Sequence, residues 1–135
     1  MKRVIVAVDS FKGSLTSAEA NLAVESGINA LYPECDVKKI SVADGGEGTT
    51  AAIIETLSGE WREVEVHDPL MRAIKAKYGI INGGKCAVIE VASASGLTLL
   101  SNNERDPLKS SSYGFGEMIE DAINLGCREF IIGIG

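Results

Sequence analysis

Apolar residues recur along this chain in two different periods, and the changes of period mark its elements. Val4 to Val8 is an unbroken, mostly β-branched run, the pattern of a strand covered on both faces of a parallel sheet. Ala20, Ala23, Val24, Gly27, Ile28 and Leu31 then recur at helical spacing, behind Thr16 and Glu19, which stand three apart as a capping box. Pro33 stops that helix. Val37 to Val42 predicts a second strand, and Glu47 to Leu57 a second helix with Ala52, Ile53 and Leu57 inward and Gly59 at its carboxyl end. A right-handed crossover in this β-α-β-α opening puts the loops at 9–14 and 44–48 on one edge of the sheet.

The texture changes after Gly59. Trp61 to Val66 alternates, Asp68-Pro69 turns, and Ile74, Ala76, Tyr78 and Ile80 alternate with Lys75, Lys77 and Gly79, as in strands with one wetter face. Asn82-Gly83-Gly84-Lys85 is a hairpin signal leading into an apolar run from Cys86 to Ala92, so this middle section reads as antiparallel. One of Ser110, Ser111 and Ser112 caps a third helix with Phe115, Met118, Ile119, Ala122 and Ile123 inward, closed by Gly126. Phe130 to Ile134 reads as an interior strand, with a turn and a covering helix expected to follow. The fold class is α/β, a parallel opening followed by a mixed or antiparallel section. We divide it into a first α/β segment at 1–62, like half of a Rossmann or flavodoxin-like sheet, and the start of a second, inserted domain at 63–135.

Composition narrows the partners. The 135 residues carry 13 Lys and Arg against 19 Asp and Glu, a net charge of −6, which argues against a broad electrostatic grip on nucleic acid or anionic lipid. Cys35, Cys86 and Cys127 are scattered and form no C-x-x-C, so they read as small buried apolar residues. The Val4–Val8 run is too short for a signal segment, and no stretch approaches membrane-spanning length, so the expected location is cytoplasmic.

Candidate chemistry emerges by elimination. His67 is the only histidine, beside the Asp68-Pro69 turn, and no serine lies in a G-x-S-x-G elbow, so a histidine triad is not indicated and His67 reads as a solvated turn residue. Neither a P-loop nor a G-x-G-x-x-G follows the first strand. What remains is an oxyanion toolkit at predicted strand ends. Lys12, flanked by Gly13, Ser10 and Ser14, suits a phosphate or carboxylate. Asp9, Asp44 and Glu47 suit Mg²⁺ or a hydroxyl proton. The amides of Gly45, Gly46 and Gly48 lie where a strand gives way to a helix, a place where backbone N–H groups meet anions. The alternative for this turn is a plain βα connection with Asp44 as N-cap. Ser93-Ala94-Ser95-Gly96 adds a small, hydroxyl-rich stretch after a buried strand.

Asp9-Ser10-Phe11-Lys12-Gly13-Ser14-Leu15 and Val42-Ala43-Asp44-Gly45-Gly46-Glu47-Gly48-Thr49 resemble the opening motifs of the bacterial glycerate kinase family. Asp68-Pro69-Leu70, Tyr78-Gly79-Ile80, Ala87-Val88-Ile89-Glu90 through Ser95-Gly96-Leu97, Tyr113 to Glu117 and Ile131 to Gly135 follow in the family's order, so the resemblance spans essentially the whole chain. Ser93, and Ser111 with Ser112, differ from the commoner residues of the family by a hydroxyl or a methyl. Family members are considerably longer and continue beyond the Gly-Ile-Gly with a further phosphate-binding turn, so this chain reads as an N-terminal portion.

The resemblance implies a two-domain fold, one domain inserted in the other, that phosphorylates D-glycerate from ATP with Mg²⁺. On that footing Lys12 pairs with the glycerate carboxylate or a phosphate, and Asp44 with Asp9 orients the hydroxyl or the Mg²⁺. The Gly45–Gly48 amides, Glu47 and Gly96 complete an anion-binding surface to which Ser10, Ser14, Ser93 and Ser95 add donors. The 135 residues alone are expected to be inactive and to self-associate or pair with a complementary C-terminal fragment. A second reading, from a different class, is a non-catalytic α/β module that binds a small acid or serves assembly. Saturable glycerate binding without ATP distinguishes it.

Overall fold

A computed structural model describes residues 3–11 and 14–135, which form two compact units, Met1–Asp44 and Gly45–Gly135. The first unit is a β-α-β. Strand β1 (Arg3–Val6) pairs in parallel with β2 (Asp36–Lys39), Val4 opposite Val37, and α1 (Ser17–Leu31) forms the crossover. The capping box starts α1 as expected. The Glu19 amide donates to Thr16 Oγ1, and the Thr16 amide donates to the Glu19 carboxylate at 2.8 Å, so two orphan amides of the first turn are satisfied.

Both strands of this unit are shorter than their apolar runs, and β1 is not covered on both faces: Val6 is buried, but Ile5 is 61% exposed. The reason is the two-stranded sheet itself, which has one described helix to pack on. The predicted second strand also ends early: the Ile40 amide still donates to the Val6 carbonyl, and the Ile40 carbonyl and the Val42 amide then turn to side-chain partners on α1.

The second unit opens with α2 (Thr49–Leu57), which starts two residues later than its apolar pattern. Its N-cap is Gly48 at φ 93°, not Asp44, and its C-cap is Ser58 at φ 53°, one residue before the expected Gly59. A four-stranded sheet follows in the order β3-β4-β5-β6, from β3 (Glu60–His67), β4 (Ala73–Ile81), β5 (Cys86–Glu90) and β6 (Glu129–Gly133). β3, β4 and β5 are antiparallel neighbours, and the turn at Asn82–Gly84 joins the last two, as the hairpin signal implied. β5 and β6 are parallel, connected through the short helix α3 (Ala92–Ser95) and α4 (Tyr113–Asn124). The apolar run from Cys86 therefore ends at Glu90, because Val91 already has helical dihedrals and caps α3.

Helices cover both faces of this sheet. Met118 and Ala122 of α4 are fully buried with Tyr78, Ile89, Ala87 and Val66, while Ile123 stays 45% exposed against expectation, its position falling off the inward stripe. On the other face, Ile53 packs on Ile81, Cys86 and Val88, and Ile54 lies so close to Gly79 that a Cβ there would sit 2.7 Å from its Cδ1. This placement decides the division of the chain. Since α2 packs on β4 and β5, the boundary between compact units falls after Asp44, whereas the division expected at 62 and 63 had assigned α2 to the first segment. β6 is an edge strand among the described residues, and Ile131 and Ile132 are 40% and 44% exposed, where an interior strand was expected.

Several polar side chains of the second unit pair with one another. The Tyr78 hydroxyl donates to Asp121, which also accepts two bonds from Arg62. The Arg62 bond, against the opposing effect of burial, holds Asp121 below the usual carboxylate range, while burial and then Asp121 push the Tyr78 phenol up. His67 is not the solvated turn residue expected. Its ring Nδ1 lies 2.9 Å from Glu117 and its amide donates to the same carboxylate, with the Tyr113 ring edge-on at 5.8 Å. Cys35, Cys86 and Cys127 are buried free thiols.

Candidate functional site

In the first unit the site residues leave the carboxyl ends of two parallel strands, and α1 ties those ends together. Ser17 Oγ donates to the Val8 carbonyl at 2.6 Å and accepts from the Val42 amide at 3.2 Å. One turn on, the fully buried Asn21 accepts from the Val8 amide through Oδ1 at 3.0 Å and donates through Nδ2 to the Ile40 carbonyl at 3.1 Å. The two side chains supply the hydrogen bonds that the strands stop making to each other, so the segments bearing Asp9 and Asp44 are fixed at one edge. Neither Ser17 nor Asn21 was legible as a site residue. Their signal is a polar residue on the inward stripe of an otherwise apolar helix.

Asp9 is exposed and its Oδ1 accepts from the Ser10 amide at 2.7 Å, while Ser10 is half-buried. Ser14 is exposed, its amide bonded to the Phe11 carbonyl, and Phe11 and Leu15 form an antiparallel bridge. Asp44 is exposed at the end of the segment that Ser17 holds. Lys12 and Gly13 lie outside the described residues.

In the second unit the glycine-rich turn sits on the carboxyl edge of the β5–β6 pair. Gly135 donates its amide to the Gly45 carbonyl at 3.0 Å, and Val91 donates to Gly133, so the turn, the end of β6 and the start of α3 share that edge. Gly45 and Gly48 adopt φ 95° and 93°, a region that disfavours side chains. The close approach also requires Gly133, where a Cβ would lie 2.4 Å from the Gly45 oxygen. Glu47 is exposed, and Gly45 and Gly46 are half-buried.

The sequence reading passed over Glu90. It is 8% exposed at the last position of β5, opposite Gly133, and accepts the Thr50 amide on Oε1 at 2.6 Å. Gly48 has no side chain with which to cap α2, and Glu90 supplies the missing acceptor from a neighbouring strand. A single charge closing a five-residue buried strand was the available signal. Ser93 is half-buried on α3, and Gly96 is its C-cap, packed so tightly that a Cβ would meet the Ala92 carbonyl at 2.5 Å. The hydroxyls of Thr49, Thr50 and Ser95 are buried with no hydrogen-bond partner in the protein.

A Mg²⁺ ion takes hard oxygen donors and is commonly held by one or two carboxylates with phosphates and water. Asp9 and Asp44 offer that donor set, two exposed carboxylates on segments tied to one helix. No group of three or more His, Cys, Asp or Glu side chains converges as a metal cage among the described residues. No described helix is long and apolar enough to cross a membrane.

Known proteins resemble the chain along its whole length. It is 44% identical over 133 residues to the glycerate kinase of Haemophilus influenzae and 42% identical over 133 residues to the glycerate 2-kinase of Escherichia coli, each alignment taking in 98% of this chain and 35% of the relative. A solved Salmonella typhimurium LT2 structure assigned to glycerate kinase 2 superposes with a TM-score of 0.79 at 42% identity, over 99% of this chain and 36% of that one. The chain thus spans about a third of the length of these relatives. With the glycerate kinase family model matching residues 4–135, the chain belongs to the glycerate kinase family.

Proposed function

We propose that this chain forms part of a glycerate kinase, an enzyme that transfers a phosphoryl group from ATP to a hydroxyl of D-glycerate with Mg²⁺. The observation that carries the reading is the Ser17–Asn21 clasp. It presents Asp9 and Asp44 from the ends of two paired strands, in a chain that matches the family from residue 4 onward. Phosphoryl transfer depends mainly on positioning and charge stabilisation, which suits a site of carboxylates, hydroxyls and one cation with no histidine triad. Bound Mg²⁺ neutralises phosphate charge. The chain's own residues supply the rest: Asp44 with Asp9 orients the accepting hydroxyl or the ion, Lys12 takes the glycerate carboxylate or a phosphate, and Ser10 and Ser14 donate nearby.

The test uses a chain extended to the length of the relatives, given Mg-ATP and D-glycerate, with ADP and phosphoglycerate as readouts. Asp44→Asn and Lys12→Ala should each lower kcat/KM about a hundredfold or more. Near-normal kinetics in either variant removes that residue from the mechanism, and no turnover of D-glycerate by the extended wild-type chain removes the reading. The 135 residues alone should turn over none.

A further inference from the structure

The glycine turn at Gly45–Gly48 has the backbone of an anion site. Gly45 and Gly48 are left-handed, and the nine-residue helix α2 begins directly behind them with its positive end toward the turn. Yet that end already holds a negative charge. Glu90 reaches it from β5, 92% removed from solvent, and its Oε1 takes the Thr50 amide at 2.6 Å, a length typical of a strong charge-assisted bond. The arrangement is built rather than incidental. Gly133, beside Glu90 in the next strand, leaves room for the Gly45 carbonyl where any Cβ would stand 2.4 Å from it, and the Gly135 amide fastens that carbonyl from the other side.

We infer that Glu90 is a specificity-determining residue: its carboxylate occupies from within the fold the place an anion would take at the start of α2, and so closes the glycine turn to phosphate and to the carboxylate of a hydroxy acid. The turn then receives a hydrogen-bond-donating end of a ligand, such as a hydroxyl. The inference goes beyond the reaction proposed above and takes from the family resemblance only that this turn is a ligand-binding element. It changes the role first given to the Gly45–Gly48 amides. The physical ground is repulsion: an anion at the turn would sit against a buried like charge whose Coulomb energy is weakly screened, and such a pair loses more than the helix end returns.

The experiment follows the amide proton and nitrogen shifts of residues 45–50 in the 135-residue chain during titration with inorganic phosphate, in metal-free buffer. Wild type should show no saturable shift at these amides up to tens of millimolar phosphate. Glu90→Gln, which keeps the acceptor for Thr50 and removes the charge, should gain a saturable response corresponding to an affinity increase of about tenfold or more. Saturable phosphate shifts in wild type would overturn the inference, and so would a folded Glu90→Gln chain that gains nothing. Glu90→Ala serves in the same way if the glutamine variant does not fold. Phosphate titration is independent of kinase turnover, so a failed activity assay bears on the proposed reaction and a failed titration on Glu90 alone.

Discussion

Asp68 shows how one side chain organises a turn. It is 1% exposed, and its carboxylate accepts the amides of Leu70 and Arg72 and the Arg72 guanidinium. Burial acts to raise its pKa and is the largest single influence, but the bonds from Arg72 and Leu70 together outweigh it and hold the group below its ordinary value. A depressed carboxylate stabilises the fold fully above its unfolded pKa of about 3.9, and that contribution is lost as pH falls through the folded value. Asp68→Asn should therefore lower the urea midpoint at neutral pH, and the gap from wild type should narrow as the solution is acidified below about pH 4. A gap of constant size would show that the charge is not what holds the turn. Asp68-Pro69 was legible as a turn from two adjacent residues, whereas the Arg72 pairing was not, and Glu90 was still less so because its partner Thr50 lies forty positions away. Local hydrogen bonds leave a mark in the sequence, and distant ones depend on which strands become neighbours.

Among the elements, the helices formed where the periodicity placed them, but Val24, Leu31, Leu57 and Ile123, all read as inward, are exposed, and the helix ends followed their chemistry to different degrees. The Thr16–Glu19 box was readable because both partners lie within one turn. Thr16→Ala should cost about 1 kcal/mol in chemical denaturation, and an unchanged midpoint would mean that α1 is held by packing alone. α2 behaves oppositely at its end, where Ser58 at φ 53° occupies a left-handed C-cap that glycine fills more comfortably, with Gly59 one position too late to do so. The strand ends were read too long for a related reason: apolar runs continued beyond the ladder. The Ile40 amide still bonds the Val6 carbonyl, but the Ile40 carbonyl and the Val42 amide bond Asn21 and Ser17, so hydrophobicity alone could not separate this stretch from β2.

For the whole molecule, what the sequence could not convey was the assignment of α2, because the order β-α-β-α suggests a single sheet and only contacts reveal that α2 packs on β4 and β5. Both units also leave apolar surface uncovered, which the sequence reading expected only around Phe130–Ile134. In the first unit Leu31 is 77% exposed, and Val4, Val24, Ile28 and Tyr32 line with it an apolar cavity of about 400 Å³. In the second, the edge strand β6 and the residue after it expose Ile131, Ile132 and Ile134. Covering a large apolar side chain is worth roughly 1.5–3 kcal/mol, so several such residues on one surface amount to a driving force comparable with the roughly 5–15 kcal/mol stability of a domain. A strand edge with unpaired backbone groups gives that force a direction, since a second chain can extend the sheet. The 135-residue chain should accordingly self-associate in a concentration-dependent way in sedimentation velocity and enhance ANS fluorescence. Ile132→Lys, which places a charge on the β6 edge, should shift the equilibrium toward monomer with little change in the core around Tyr78 and Met118. A wild-type chain that sediments as a monomer at all concentrations and leaves the dye dark would overturn this expectation. Association unaffected by Ile132→Lys would move it to the Leu31 surface of the first unit.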